Sequence, residues 1–139
     1  MRRRRGLGAV KVQLDRERIA EMREDPRGFY RGAADRVNRA ACAIVGRGDG
    51  FGRKAFLADV AAEVGVPMKR LGPMLAAWNN LGWVDLSRAD LVGGMDAKKV
   101  KDSELEVEGK LGSLGRFHFV EAGSARCDGL SGARRRRRR

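Results

Sequence analysis

Leu57–Trp83, LADVAAEVGVPMKRLGPMLAAWNNLGW, limits the fold more than any other stretch of this chain. Val60, Ala61 and Val64 put small and β-branched groups along one side of a first helix. Gly65 offers the left-handed or crowded backbone that a tight inter-helix turn needs. Pro67 stands where a first helical turn tolerates a missing N–H. Leu71, Met74, Leu75, Trp78 and Leu81 then repeat at the spacing of a helix with one buried face. The spacing predicts helices over Arg53–Val64 and Met68–Leu81, with Gly82 as a stop and Trp83–Leu86 as a strand. Pro73 is the anomaly. It removes a backbone donor and crowds the carbonyl of Lys69, at about 3 kcal/mol in a helix interior, so a kink there or a helix start near it is expected.

Small Ala61 four residues before Gly65, with apolar Met68, Leu71 and Met74 after it, resembles the helix-turn-helix of DNA-binding proteins. The exit Leu81-Gly82-Trp83-Val84 into a strand is similar to winged helix-turn-helix domains such as those of bacterial transcription regulators. The resemblance covers Phe51–Leu86. It implies a mainly α fold with a small antiparallel sheet, and a second helix that sits in or beside the DNA major groove. The phrase SRADLVGGMDAKKVKDSE followed by FHFV also resembles a set of uncharacterised bacterial proteins, which brings no activity with it.

The rest of the chain is arranged around that unit. Residues 1–8 read as a disordered Arg-rich tail and 9–32 as an N-terminal helical extension. Residues 33–122 read as the winged-helix-like domain, and 123–139 as a disordered Arg-rich C-terminal tail. Within these spans Asp15 caps a charged helix over Asp15–Asp25, and Gly28–Val45 forms a longer one with an apolar stripe that includes Val37, Ala41 and Ile44. Gly46–Gly52 is a connector. Its glycines fit neither G-x-x-x-x-G-K-[ST] nor G-x-G-x-x-G after a strand, so no phosphate loop is read there. Ser87 and Asp96 are caps for Arg88–Met95 and Ala97–Asp102, a helical insertion ahead of a C-terminal hairpin of Leu105–Val107 with Phe117–Val120.

Charge is concentrated at the ends. The net charge is +12, but without Arg2–Arg5 and Arg134–Arg139 the body holds 20 basic against 18 acidic residues. The tails are attractive to polyanions, while the body is close to neutral. No apolar run is long enough to span a membrane, and Lys11 cuts short the apolar stretch that a signal peptide would need. Cys42 and Cys127 are far apart and without His or Cys neighbours. They predict neither a disulfide scaffold nor a zinc site, and a reduced, cytoplasmic setting is the default.

The residues that bear on function follow from this frame. Aligned on Gly65, the groove-facing positions of the second helix are Lys69, Gly72, Pro73 and Ala76, with Arg70 alongside. Base reading wants Arg, Lys, Asn or Gln forks, and only Lys69 supplies one on that face; Arg70 is better placed for a phosphate. Asn79 and Asn80 lie at the helix end, where capping is the plain reading and Asn80 joins the nucleic-acid-binding set. Lys110 and Arg116 flank the hairpin loop, within reach of the DNA backbone. His118 alternates with Phe117 and Phe119 and is assigned to the solvent or groove face. Glu104, Glu106 and Glu108 read as the solvent face of a strand, and Trp78 and Trp83 as core. No nucleophile–base pair, metal-ligand cluster or nucleotide loop appears, so no catalytic, metal or cofactor residues are assigned. The expected function is a non-enzymatic DNA-binding protein, a transcription regulator in type, with basic tails that add nonspecific affinity. The alternative is a winged-helix protein-interaction module that uses the Lys69/Pro73/Ala76 face. The oligomeric state is open, a homodimer included.

Overall fold

The computed structural model describes residues 9–89, 96–109 and 114–137. Two small sheets and the helices between them make a mainly helical fold. The first sheet has the order β2-β6-β3, formed by Lys54–Phe56, Phe119–Glu121 and Leu86–Ser87, all antiparallel. The second has the order β1-β4-β5. Val10–Gln13 runs parallel to Leu105–Glu108, which pairs antiparallel with Leu114–Phe117. His118 carries the chain from the second sheet into the first. Its N–H donates to the Ser87 carbonyl at 2.8 Å and its carbonyl accepts from the Leu57 N–H at 2.9 Å.

Four helices precede the second half of the sheets. In α1 (Arg16–Arg23), the Asp15 carboxylate accepts from the N–H groups of Glu17 and Arg18 and so closes the open end of the helix. The long helix α2 (Phe29–Gly46) buries Ala34, Val37, Ala40, Ala41 and Ile44. Helix α3 (Leu57–Val64) ends at Gly65 with φ of 74°, a left-handed residue that suits glycine. Helix α4 (Met68–Leu81) ends the same way at Gly82, φ 79°. Leu57, Val60, Leu71, Leu75 and Trp78 meet α2 in one core, and each fully buried side chain of this kind contributes about 1.5–3 kcal/mol. Pro73 lies inside α4 without dividing it. The helix starts at Met68, and Leu71 and Leu75 on either side are both buried, so packing offsets the lost hydrogen bond.

Several expectations are corrected. Residues 9–32 are not only helical, because Val10–Gln13 is a strand whose partner lies in the C-terminal half of the chain. The hairpin partner of β4 is Leu114–Phe117, and Phe119–Glu121 leaves for the other sheet. Backbone from Ser124 to Arg137 forms a helix, α6, in place of a disordered tail. Cys42 on α2 and Cys127 on α6 are bonded to each other. The expected helix over Arg88–Met95 falls mostly outside the described residues, as do the N-terminal arginines; α5 (Ala97–Asp102) is present with its Asp96 cap. Among the described residues no helix is long and apolar enough to cross a membrane.

Candidate nucleic-acid interface

Helix α4 is enclosed on more than one side. Leu71, Leu75 and Trp78 face the α2–α3 core, and Trp78 is 1% exposed. Gly72 and Ala76, expected to face a groove, are buried under the second sheet instead, and Ala76 is 3% exposed. A Cβ on Gly72 would stand 3.1 Å from Leu105 Cδ1, 3.1 Å from Val10 Cγ1 and 3.5 Å from Val12 Cγ1. Strands β1 and β4 therefore lie where a DNA groove would have to come. Glycine and alanine are small at these positions because a sheet approaches there. Helix α1 packs against α4 as well, and Ala77 is buried. What remains exposed is Lys69, Arg70 and Pro73 at the start of the helix and Asn80 near its end.

The expected contact residues do not converge. Lys69 and Asn80 are eleven positions apart, about 16 Å along the helix axis. Asn79 supports the fold, since its Oδ1 accepts from the Leu86 N–H at 3.0 Å and ties the helix exit to β3. Arg116 is held inside its own sheet, 2.9 Å from a Glu104 oxygen and 3.0 Å from a Glu106 oxygen. That fork also explains two of the three alternating carboxylates, for Glu106 is buried rather than on a solvent face. Lys110 lies outside the described residues. Among the described residues no group of His, Cys, Asp or Glu is placed to hold a metal ion.

Asn80 has other neighbours. It lines an open groove of about 770 Å³ between α1 and the ends of α4 and β4. Arg16, Arg23, Leu14, Ile19 and Ala20 line it as well. Neither arginine forms an ion pair with any described carboxylate. The positions 16, 20 and 23 share a helix face, a spacing visible in the sequence once the helix is assigned.

A second basic feature is α6, whose sequence runs into Arg134–Arg139. The chain is fixed in three ways where this helix begins. Cys127 is bonded to Cys42. The Arg126 guanidinium donates to the Trp83 carbonyl at 2.9 Å and to Asp85 at 2.7 Å. Just ahead of the helix, the Ala122 N–H donates to the Arg53 carbonyl at 2.7 Å, and Arg53 Nε returns a bond to the Ala122 carbonyl at 3.0 Å. Trp83 is itself half-buried, with the Arg31 guanidinium 5.1 Å above its ring.

His118 is buried, 6% exposed, and not on a solvent or groove face. Its Nδ1 accepts from the Ala89 N–H at 3.0 Å, which requires the neutral imidazole. Burial lowers its pKa from the usual 6.5; Glu104 opposes the shift, while Arg88 and Arg116 add to it. In the folded state protons bind less readily than in the unfolded chain. The stability this provides is complete above pH 6.5 and is lost as pH falls through the lowered folded-state value. Urea denaturation between pH 7 and pH 5 is expected to show a falling midpoint, with a flatter profile in His118→Gln. An equal slope in that variant would assign the acid sensitivity elsewhere.

No protein-family model, no curated protein and no solved structure matches this chain.

Proposed function

We propose that this chain is a non-enzymatic DNA-binding protein that holds DNA by its phosphates and not by reading bases. The observation that carries this reading is the run of six arginines, which begins within the last turn of a helix that is bonded to the body. Lys69 and Arg70, exposed at the start of α4, add two cations to the same kind of contact. The covered middle of α4 argues against a helix laid deep in the major groove. Phosphate contacts position a protein without specifying sequence. A winged-helix ancestry is supported by the order β2-β6-β3 with α3 and α4 between β2 and β3, and by α2 ahead of them. On that reading α5, β4 and β5 occupy the place of the wing and, with β1, build a second sheet over the reading helix.

A salt titration of the full chain against a chain lacking Arg134–Arg139 tests the proposal. Each neutralised phosphate contributes about 0.9 to the slope of log affinity against log salt, so loss of the run is expected to flatten the slope by up to about 5. An unchanged slope would remove the arginine run from the interface. The protein-interaction reading has one observation in its favour: Phe29 is 72% exposed, while the body is nearly neutral. Its surface near α4 is reduced to Lys69 and Pro73, since Ala76 is covered. A stoichiometric partner that survives nuclease treatment would favour it.

A further inference from the structure

We infer that the groove between α1 and α4 is a binding site for a single strand of nucleic acid, held through its phosphodiesters by Arg16 and Arg23. The inference rests on the reading that this chain binds nucleic acid, and it assigns a contact to residues other than the arginine run.

Arg16 and Arg23 share one stripe of α1 with Ala20, while Glu17, Glu21 and the C-cap residue Glu24 share another; Arg18 belongs to neither and stands three residues before Glu21. A helix selected only for its own stability would interleave opposite charges four apart. This one places Glu17 and Glu21 at that separation, which costs a few tenths, about 0.2–0.5 kcal/mol. The one ion pair at that spacing among the described residues is Lys98–Asp102, in α5. The arrangement in α1 leaves the two guanidiniums on the groove side. Buried Ile19 and Met22 pin α1 to the body, and the Asp15 cap fixes where the helix begins, so the positions of both arginines are set by rigid structure.

The groove's shape and lining select the ligand. Arg16 and Arg23 are seven residues apart, about 10 Å along the axis, a span that suits phosphates on a strand better than one compact anion. Leu14 and Ala20 add apolar surface to the lining, and the Asn80 amide offers a donor and an acceptor to a base edge; a single strand presents base faces and edges to such a lining, whereas a duplex keeps its bases stacked and paired. The opposing carboxylate, Glu108, accepts a hydrogen bond from Gln13 Nε2 at 3.3 Å.

The test is fluorescence anisotropy with a labelled oligothymidine and, in a second arm, a labelled duplex. The proteins are the full chain, Arg16→Ala/Arg23→Ala, and a charge-matched Arg18→Ala/Arg27→Ala. All four side chains are exposed, so the variants keep the core, and a thermal melt checks this directly. Loss of two single-strand phosphate contacts is expected to flatten the salt slope by about 1.4 and to weaken oligothymidine binding about tenfold, with a much smaller loss in the charge-matched variant. Equal losses in the two variants would reduce the groove to general charge and overturn the site. A loss as large for duplex as for oligothymidine would overturn the single-strand assignment. Absence of binding by the full chain to either probe would overturn both this inference and the function it rests on, whereas normal binding with an inert groove would sink the inference alone.

Discussion

Reduction of the Cys42–Cys127 bond is expected to lower the unfolding free energy by about 2–4 kcal/mol. The bond joins residues separated by 85 positions, and closing a loop of that size removes much of the freedom of the unfolded chain. The effect concentrates on α6. Its sequence, SARCDGLSGARRRR, contains two interior glycines and two serines, and a helix of 14 residues is marginal without docking. Once reduced, α6 keeps the Arg126 fork to Trp83 and Asp85 and the Ala122–Arg53 pair just ahead of it. Urea denaturation with and without dithiothreitol measures the change, and Cys42→Ser/Cys127→Ser should reproduce the reduced protein without reductant. Trypsin should then cut within the arginine run sooner in the reduced protein. Identical midpoints in the two conditions would mean that the bond carries no stability.

Gly72→Leu is expected to be among the most damaging single substitutions in the chain, at about 1–3 kcal/mol or more. The first added carbon already meets Leu105 and Val10 side chains at 3.1 Å, and the remaining three carbons have no space before β1 and β4. Gly72→Ala separates the two effects at work. Alanine gains about 1 kcal/mol of helix propensity, and the crowding methyls are side-chain ends that can give by a few tenths of an ångström. Its net effect is therefore expected to lie within about 1 kcal/mol of zero. Urea midpoints of the two variants check both values. Tolerance of leucine would show that the second sheet does not rest on α4.

The local elements can be read from residues alone because their causes are local. Asp15 and Asp96 cap helices through their own carboxylates, and Gly65 and Gly82 end helices by adopting positive φ. The apolar stripe of Leu71, Leu75 and Trp78 is buried where its period places it. Features that the residues do not reveal have distant causes. Strand β1 pairs with β4 some 95 residues away, and four residues of V-K-V-Q carry no mark of that partner. The two cysteines bond because α2 and α6 pack together, which spacing alone does not encode. Gly72 and Ala76 mislead for a chemical reason: small residues look the same whether a helix face is open to a ligand or covered by a sheet. Arg116 misleads in the same way, since a cation near a loop says nothing about Glu104 and Glu106 waiting across the strand. Strand alternation points His118 outward, but this residue stands between two sheets, where alternation does not hold.

Phosphate binding without base reading makes a direct demand on affinities. Full-length protein titrated against two duplexes of equal length and unrelated sequence, at a series of salt concentrations, should show affinities within about threefold and the same salt slope. A protein that reads bases prefers its site by about 10³-fold or more over other DNA. A preference of that size for either duplex would contradict binding through phosphates alone.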